Sequence, residues 1–121
     1  MNYKLQTTNY ADFWFKLERL VAISNLKIDR PKGTSHPRYP SFVYPLDYGY
    51  LENTHSGDGN DIDVWIGSLS NQTVTAVICS VDLEKRDTEI KILLSCTSDE
   101  NQAILDIHNT GFQSAVLLVR K

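Results

Sequence analysis

Residues 55–67 read HSGDGNDIDVWIG, and they place three carboxylates and one amide within six positions at the start of an apolar run. The two glycines allow a tight turn, and Ile62, Val64 and Ile66 then recur at the period of two that is typical of a half-buried strand. Grouped carboxylates repel one another unless solvent, protons or a cation neutralise them, and hard divalent cations prefer such oxygen ligands. The stretch therefore predicts a loop leading into a strand, and that loop is either a cation site or an ordinary polar turn.

The spacing within this loop excludes a calcium loop of the EF-hand type, although Asp58 and Asn60 match its first and third positions. The sixth position would be Asp63, where an EF-hand requires glycine. The twelfth would be Leu69, where a bidentate glutamate is required. A cation held here is therefore bound in another geometry.

The length and composition of the chain predict one domain, residues 1–121, with a substantial core. The formal net charge is −3 and the basic residues are dispersed, so we expect neither nucleic acid nor an anionic membrane as a partner. No apolar run approaches the roughly 20 residues of a membrane span, and the first residues lack the apolar segment of a signal peptide. Cys79 and Cys96 lie in apolar runs that suit buried reduced thiols. We therefore expect a cytoplasmic protein.

Hydrophobic periodicity predicts two helices and about six short strands along the chain. The expected helices cover residues 9–24 and 97–109, and Thr97 or Ser98 caps the second. The clearest strands are 26–29, 62–66, 73–81, 89–96 and 112–119. Segments 73–81 and 89–96 predict an antiparallel hairpin that brings Asp82 and Asp87 to the same end of the sheet. The fold class is therefore α+β, a small and mostly antiparallel sheet or partly closed barrel of five to six strands with two flanking helices.

Residues 30–40 form the one locally basic segment, and their three prolines and one glycine predict a loop. Lys32 and Arg38 belong to this loop, and their ammonium and guanidinium groups are of the kind that binds phosphate oxygens. The alternative is a set of solvated surface charges. Tyr48, in the aromatic segment that follows, either packs in the core or offers its hydroxyl to a ligand.

Two blocks of sequence in register resemble the soluble inorganic pyrophosphatases of family I. Residues 44–51, YPLDYGYL, are similar to that family's Tyr-Pro-x-x-Tyr-Gly-Tyr, and residues 58–65, DGNDIDVW, to its Asp-x-Asp-x-x-Asp, with the same spacing between them. Weaker likeness covers residues 29–34, DRPKGT, and an aspartate pair five residues apart at Asp82 and Asp87. The resemblance implies an OB-like barrel. It also implies hydrolysis of pyrophosphate to two phosphates by water that Mg²⁺ activates, and a homo-oligomer.

The resemblance also implies roles for individual residues of this chain. Carried over by position, the Mg²⁺ ligands are Asp58, Asp63, Asp82, Asp87 and Asp29. Tyr48 would lie beside the attacking water or a phosphate oxygen. The residues expected to bind phosphate are Lys32, Arg38 and Lys91.

Four features depart from the family pattern. Asn60 stands where the family has the aspartate that serves as the base, and an amide cannot accept a proton as a carboxylate does. Either the neighbouring Asp61 takes that role or no protein base acts. Glu89 stands at a family lysine, for which Lys91 is the nearest substitute, the hairpin normally inserted between Tyr39 and Tyr44 is absent from the sequence, and so is the Tyr-Lys pair of the family's C-terminal helix.

These departures leave three alternatives to an ordinary pyrophosphatase. The chain could be a catalytically weakened remnant that binds metal or phosphate. It could hydrolyse an organic diphosphate such as a nucleotide, because a site without the inserted hairpin is more open. It could also be a purely structural or interaction domain, which predicts no stabilisation by Mg²⁺ and pyrophosphate.

Overall fold

A computed structural model describes residues 10–121, which form one six-stranded sheet and two helices. The elements are α1 (Tyr10–Ala22), β1 (Leu26–Arg30), β2 (Asp47–Leu51), β3 (Ile62–Ile66), β4 (Val74–Asp82), β5 (Asp87–Leu94), α2 (Ser98–Ile107) and β6 (Gln113–Val119). The predicted α+β class with two flanking helices is confirmed. Residues 1–9, which include the first residue of the predicted helix and the start on which the signal-peptide expectation rests, lie outside the described residues.

The strands are ordered β1-β2-β3-β5-β4-β6 across the sheet. All neighbours are antiparallel except β3 and β5, which run parallel with Val64 opposite Ile92. Within residues 10–121 the edge strands β1 and β6 do not pair with each other, so the predicted barrel is open along this seam. The parallel pair at the centre brings the loop before β3 beside the first residues of β5.

Helix α1 covers one face of the sheet with its apolar stripe. Trp14 is buried there against Val64 and Val77, which point to this face from β3 and β4. Glu18 fixes the helix to the sheet, because its carboxylate accepts a hydrogen bond from the backbone N–H of Val74 and pairs with Arg120 Nη1 at 2.6 Å. Helix α1 therefore packs on one face of the sheet, and α2 packs on the opposite face.

Helix α2 covers part of that opposite face, and a capping box fixes where it begins. The Thr97 hydroxyl accepts from the backbone N–H of Glu100, and the Glu100 carboxylate accepts from the backbone N–H of Thr97. Of the two predicted caps, Thr97 and Ser98, the structure has Thr97. Glu100 also accepts from the backbone N–H of Ser68 after β3. Ile104 packs from this helix against Trp65 and its neighbours, so α2 shields one end of this face and leaves the other end open.

The predicted β4–β5 hairpin is confirmed, with Asp82 directly opposite Asp87.

Cys79 and Cys96 are free thiols, and Cys96 is buried. Burial raises the pKa of the Cys96 thiol to about 12, so this group stays protonated. None of the helices in residues 10–121 has the length and apolar character needed to cross a membrane.

Candidate active site

Three carboxylates from two elements meet at the uncovered end of the α2 face. Asp58 comes from the loop before β3, and Asp87 and Glu89 come from the start of β5. An oxygen of each of these three side chains lies within 4.8 Å of the others. Three convergent carboxylates are a hard oxygen donor set of the kind that Mg²⁺ and Ca²⁺ prefer, so the residues present fit a divalent cation.

Close backbone packing holds the loop of Asp58 against β5. A Cβ atom at Gly57 would lie only 2.6 Å from the carbonyl oxygen of Thr88, so glycine is needed for this approach. Within the loop, the backbone N–H of Asn60 donates to Asp58 Oδ1 at 2.9 Å. This hydrogen bond is the main cause that lowers the pKa of Asp58, and it fixes an ionised carboxylate that faces Asp87 and Glu89.

The ammonium group of Lys91 supplies a positive charge at the site. Since side chains alternate along a strand, Asp87, Glu89 and Lys91 of β5 share one face. The Lys91 ammonium donates to Asp63 Oδ2 at 2.7 Å and to the Tyr48 hydroxyl oxygen at 3.1 Å, and it lies 3.5 Å from Glu89 Oε2. Lys91 is buried, with 7% of its surface exposed. Burial alone would lower the pKa of Lys91, but the Tyr48 oxygen and the Asp63 carboxylate raise it above its ordinary value, so Lys91 is charged at neutral pH.

Tyr48 and Glu89 are both shifted toward their neutral forms. Burial raises the pKa of Tyr48 well above its ordinary value, although Lys91 opposes that shift. Its ring packs on Trp65, with ring centroids 4.4 Å apart. Burial also raises the pKa of Glu89, an effect that Lys91 opposes and that Asp58 and Asp63 reinforce. A bound divalent cation would relieve this repulsion among the carboxylates.

A buried hydrogen-bond chain supports the floor of the site. Trp65 Nε1 donates to His108 Nε2 at 3.1 Å, and His108 Nδ1 lies 3.0 Å from Gln113 Oε1. Because Nε2 accepts from the indole, the proton of the neutral ring sits on Nδ1 and is donated to Gln113. Burial lowers the pKa of His108 below its ordinary value, so the ring stays neutral and holds Trp65 in place.

The other residues with predicted roles lie further from this centre. Asp82 lines a cavity next to the carboxylate cluster. Its Oδ1 accepts from the backbone N–H groups of Glu84 and Lys85 and so stabilises the hairpin turn. Asp61 Oδ1 accepts from the backbone N–H of Thr54, which ties the loop to the end of β2. The roles assigned to these two aspartates stay predictions.

The basic residues of the β1–β2 loop do not converge on the carboxylates. Asp29, Lys32 and Arg38 are exposed, and they are not among the described residues that line the cavity above the carboxylates. Their roles as a metal ligand and as phosphate-binding groups stay predictions.

Glu89 was not expected as a ligand. Its spacing of two from Asp87 would have placed it on the same face of β5, and that is the signal that could have found it.

Asp87 and Glu89 of the cluster, together with Lys91, line part of a cavity of about 770 Å³. Tyr48 and Trp65 lie on its floor, and the rest of its lining includes the aromatic residues His36, Tyr39, Phe42 and Phe112 and the charged residues Asp82, Glu84 and Lys85. The site therefore combines a cluster of acids beside an ammonium with a wide aromatic cavity.

The fold and site define a small α+β domain with an OB-like sheet and a carboxylate centre suited to a divalent cation. The family model for inorganic pyrophosphatase matches residues 15–108, and the chain belongs to the inorganic pyrophosphatase family. An inorganic pyrophosphatase from Picrophilus torridus is 32% identical over 68 residues, and this match covers 50% of the chain but 38% of that relative.

A crystal structure of an inorganic pyrophosphatase from Neisseria gonorrhoeae has the same fold. The TM-score is 0.58 at 18% sequence identity, and the match covers 78% of this chain and 80% of that one. The predicted family and the OB-like fold are both confirmed.

Proposed function

We propose that this chain hydrolyses inorganic pyrophosphate to two phosphates and that it requires a divalent cation, Mg²⁺. Membership of the family and the shared fold support the reaction. The observation that carries the proposal is the convergence of Asp58, Asp87 and Glu89 within 4.8 Å beside the Lys91 ammonium.

In this proposal Asp58, Asp87 and Glu89 hold the cation. When bound, Mg²⁺ would neutralise phosphate oxygens and make a water molecule more acidic. The protein's own groups then position the substrate. Tyr48 Oη accepts from Lys91 and keeps its own proton because burial raises its pKa, so its hydroxyl can donate to a phosphate oxygen. Lys91 supplies positive charge from within the cavity wall.

The amide of Asn60, in place of a carboxylate, leads us to expect a slow reaction. Its backbone N–H and its side-chain Nδ2 both face Asp58, at 2.9 and 3.4 Å from the carboxylate oxygens. The amide therefore orients Asp58 but cannot take a proton from water. General-base catalysis is typically worth about 10² to 10⁴ in rate, so we expect slow turnover without it.

The test is phosphate release from pyrophosphate by the purified protein, with and without Mg²⁺. Asp87→Asn should abolish metal-dependent release because it removes a ligand while keeping the shape of the side chain. Asp99→Asn, an exposed aspartate in the first turn of α2, is the matched control and should keep the wild-type rate. Absence of Mg²⁺-dependent release from the wild-type protein would overturn the proposal.

A second candidate function is a binding module for metal and phosphate that has lost hydrolysis. Two observations favour it: Asn60 stands at the expected base, and Asp63 is already neutralised by Lys91 at 2.7 Å. Such a module would bind Mg²⁺ and pyrophosphate and be stabilised by them, but it would release no phosphate.

We further propose a cytoplasmic location and a homo-oligomeric state. The free thiols of Cys79 and Cys96 suit a reducing compartment. Val116 and Leu118 are exposed apolar side chains on the edge strand β6, and contact between copies would cover them. Size-exclusion chromatography with light scattering tests the assembly, and a monomer at high concentration would contradict it.

A further inference from the structure

The cavity is larger and more apolar than pyrophosphate needs. Its volume of about 770 Å³ falls among pockets that enclose organic molecules rather than small inorganic ions. The lining includes Asp87, Glu89 and Lys91 and, at the β4–β5 turn, Asp82, Glu84 and Lys85, and six aromatic side chains line the same cavity. The cavity therefore presents charged groups and aromatic rings together.

The β1–β2 loop supplies one aromatic wall and is held in shape by its own hydrogen bonds. His36 Nδ1 accepts from the backbone N–H groups of Arg38 and Tyr39, at 3.0 and 3.2 Å, and the backbone N–H of His36 donates to the carbonyl oxygen of Phe42. The His36 ring is parallel to that of Tyr44 and its centroid lies 5.1 Å from that of Tyr39. Tyr39 is thus presented by an ordered loop while 58% of its surface stays exposed.

Phe112 supplies a second aromatic group from the far side of the sheet. It lies in the turn between α2 and β6, and 62% of its surface is exposed. Since β1–β2 and β6 lie at opposite edges of the sheet, Tyr39 and Phe112 line the cavity from two different sides. Exposed aromatic side chains that share one cavity are typical of a surface that a ligand covers.

We propose that the cavity binds a nucleoside diphosphate, with its base against Tyr39 and Phe112 and its phosphoanhydride beside Asp87, Glu89 and Lys91. Nucleoside diphosphates are the class that joins a flat aromatic ring to a phosphoanhydride, and bases stack on aromatic side chains regardless of base identity. This inference rests on the proposed phosphoanhydride hydrolysis.

In the corresponding reaction the oxygen of water forms a bond to the terminal phosphorus. The bond from that phosphorus to the bridging oxygen breaks, and the electron pair leaves with the nucleoside monophosphate. The products are the monophosphate, inorganic phosphate and a proton released to solvent. No other reactant is needed.

The test compares the dissociation constants of ADP and methyl diphosphate, which share the phosphoanhydride but differ in the nucleoside, both in excess Mg²⁺, and the variants below separate the base from the ribose. We expect ADP to bind about tenfold more tightly or better, as stacking of one base allows. Tyr39→Ala and Phe112→Ala should each reduce this preference at least about threefold. Phe15→Ala is the matched control, because Phe15 on α1 is also 62% exposed and does not belong to the described cavity lining.

Phosphate release from ADP, methyl diphosphate and pyrophosphate is measured on the same proteins. Equal binding of ADP and methyl diphosphate by a protein that hydrolyses pyrophosphate would overturn this inference and leave the proposed function standing. A preference for ADP that the two cavity variants reduce, without phosphate release from any compound, would support the base site and overturn hydrolysis. A preference for ADP that neither variant changes, or binding of none of the compounds, would overturn the inference.

Discussion

Lys91 Nζ lies 2.7 Å from Asp63 Oδ2, and this ion pair joins β5 to β3 beside the carboxylate cluster. One aspartate of the family's acidic motif is thereby neutralised by a cation that belongs to the chain itself. Asp58 and Asp87 form no salt bridge with a lysine in the described structure, and Glu89, 3.5 Å from the Lys91 ammonium, completes the carboxylate cluster. The sequence resemblance implies a lysine at the position of Glu89, and this chain has its lysine two residues further along β5, at Lys91.

Replacing Lys91 by Gln should strengthen Mg²⁺ binding and weaken the metal-free fold. Asp63 would become available to the cation, and one more ligand charge should raise the affinity about tenfold. Without metal, a partly buried carboxylate loses its charged partner, which costs about 1–3 kcal/mol of unfolding free energy. Calorimetric titration with Mg²⁺ and urea unfolding measure the two effects.

Lys85→Gln is the control for this prediction, because Lys85 is an exposed lysine at the rim of the same cavity. It should change neither quantity appreciably. Mg²⁺ affinity that is unchanged or lower in Lys91→Gln would show that Asp63 is not withheld from the metal by Lys91.

Asn60→Asp should increase pyrophosphate hydrolysis by about tenfold or more, because it restores a carboxylate that can accept a proton from water. The gain is measured as the rate of phosphate release at saturating Mg²⁺. Asn71→Asp adds the same charge at an exposed position away from the cavity and should leave the rate unchanged. If Asn60→Asp binds Mg²⁺ as the wild type does but gains no activity, the binding-module function is favoured instead.

Local features of the fold could be predicted from the sequence, because neighbouring residues determine them. The capping box at Thr97 and Glu100 and the hairpin that pairs Asp82 with Asp87 are of this kind. The parallel pairing of β3 with β5 joins segments about 28 residues apart, and no local pattern specifies it. The contact between Lys91 and Asp63 depends on that pairing, so it could not be predicted.

Gly57→Ala should displace the acidic loop and weaken Mg²⁺ binding, since the added methyl group would meet the Thr88 carbonyl oxygen of β5. The loop must move to relieve the clash, which separates Asp58 from Asp87 and Glu89. We expect the affinity for Mg²⁺ to fall by about tenfold, as for loss of one charged ligand. The measurement is calorimetric titration.

Gly33→Ala controls for the general cost of replacing glycine. Gly33 has a φ of +87°, and a methyl group added there would meet no atom within 4 Å, so alanine at this position is strained but displaces nothing. It should lower stability without changing Mg²⁺ affinity. Equal metal affinities in both glycine variants and the wild type would contradict the role of Gly57.

Stability should fall in mild acid because of His108. Burial lowers its pKa below the ordinary value of 6.5, so the unfolded chain takes up this proton at a higher pH than the folded one. The stabilisation is therefore complete above about pH 6.5 and is lost as the pH falls toward the folded pKa. His108→Gln can still accept from Trp65 and donate to Gln113, and its Tm should vary less between about pH 7.5 and 5.5.

His55→Gln is the control for this pH dependence, because His55 is exposed in the loop before β3. Its Tm should follow the wild-type profile. A His108→Gln protein with the wild-type dependence on pH would show that protonation of His108 does not limit stability in this range.

The most direct test of the carboxylate centre is calorimetric titration of Mg²⁺ into the wild-type protein and into Glu89→Gln. Asp58, Asp87 and Glu89 meet within 4.8 Å, so loss of the Glu89 charge should weaken Mg²⁺ binding about tenfold, whatever the rate of hydrolysis. Glu84→Gln, an exposed glutamate that lines the same cavity, should bind as the wild type does. Wild-type affinity in Glu89→Gln would contradict the account, because the cation would then be held elsewhere.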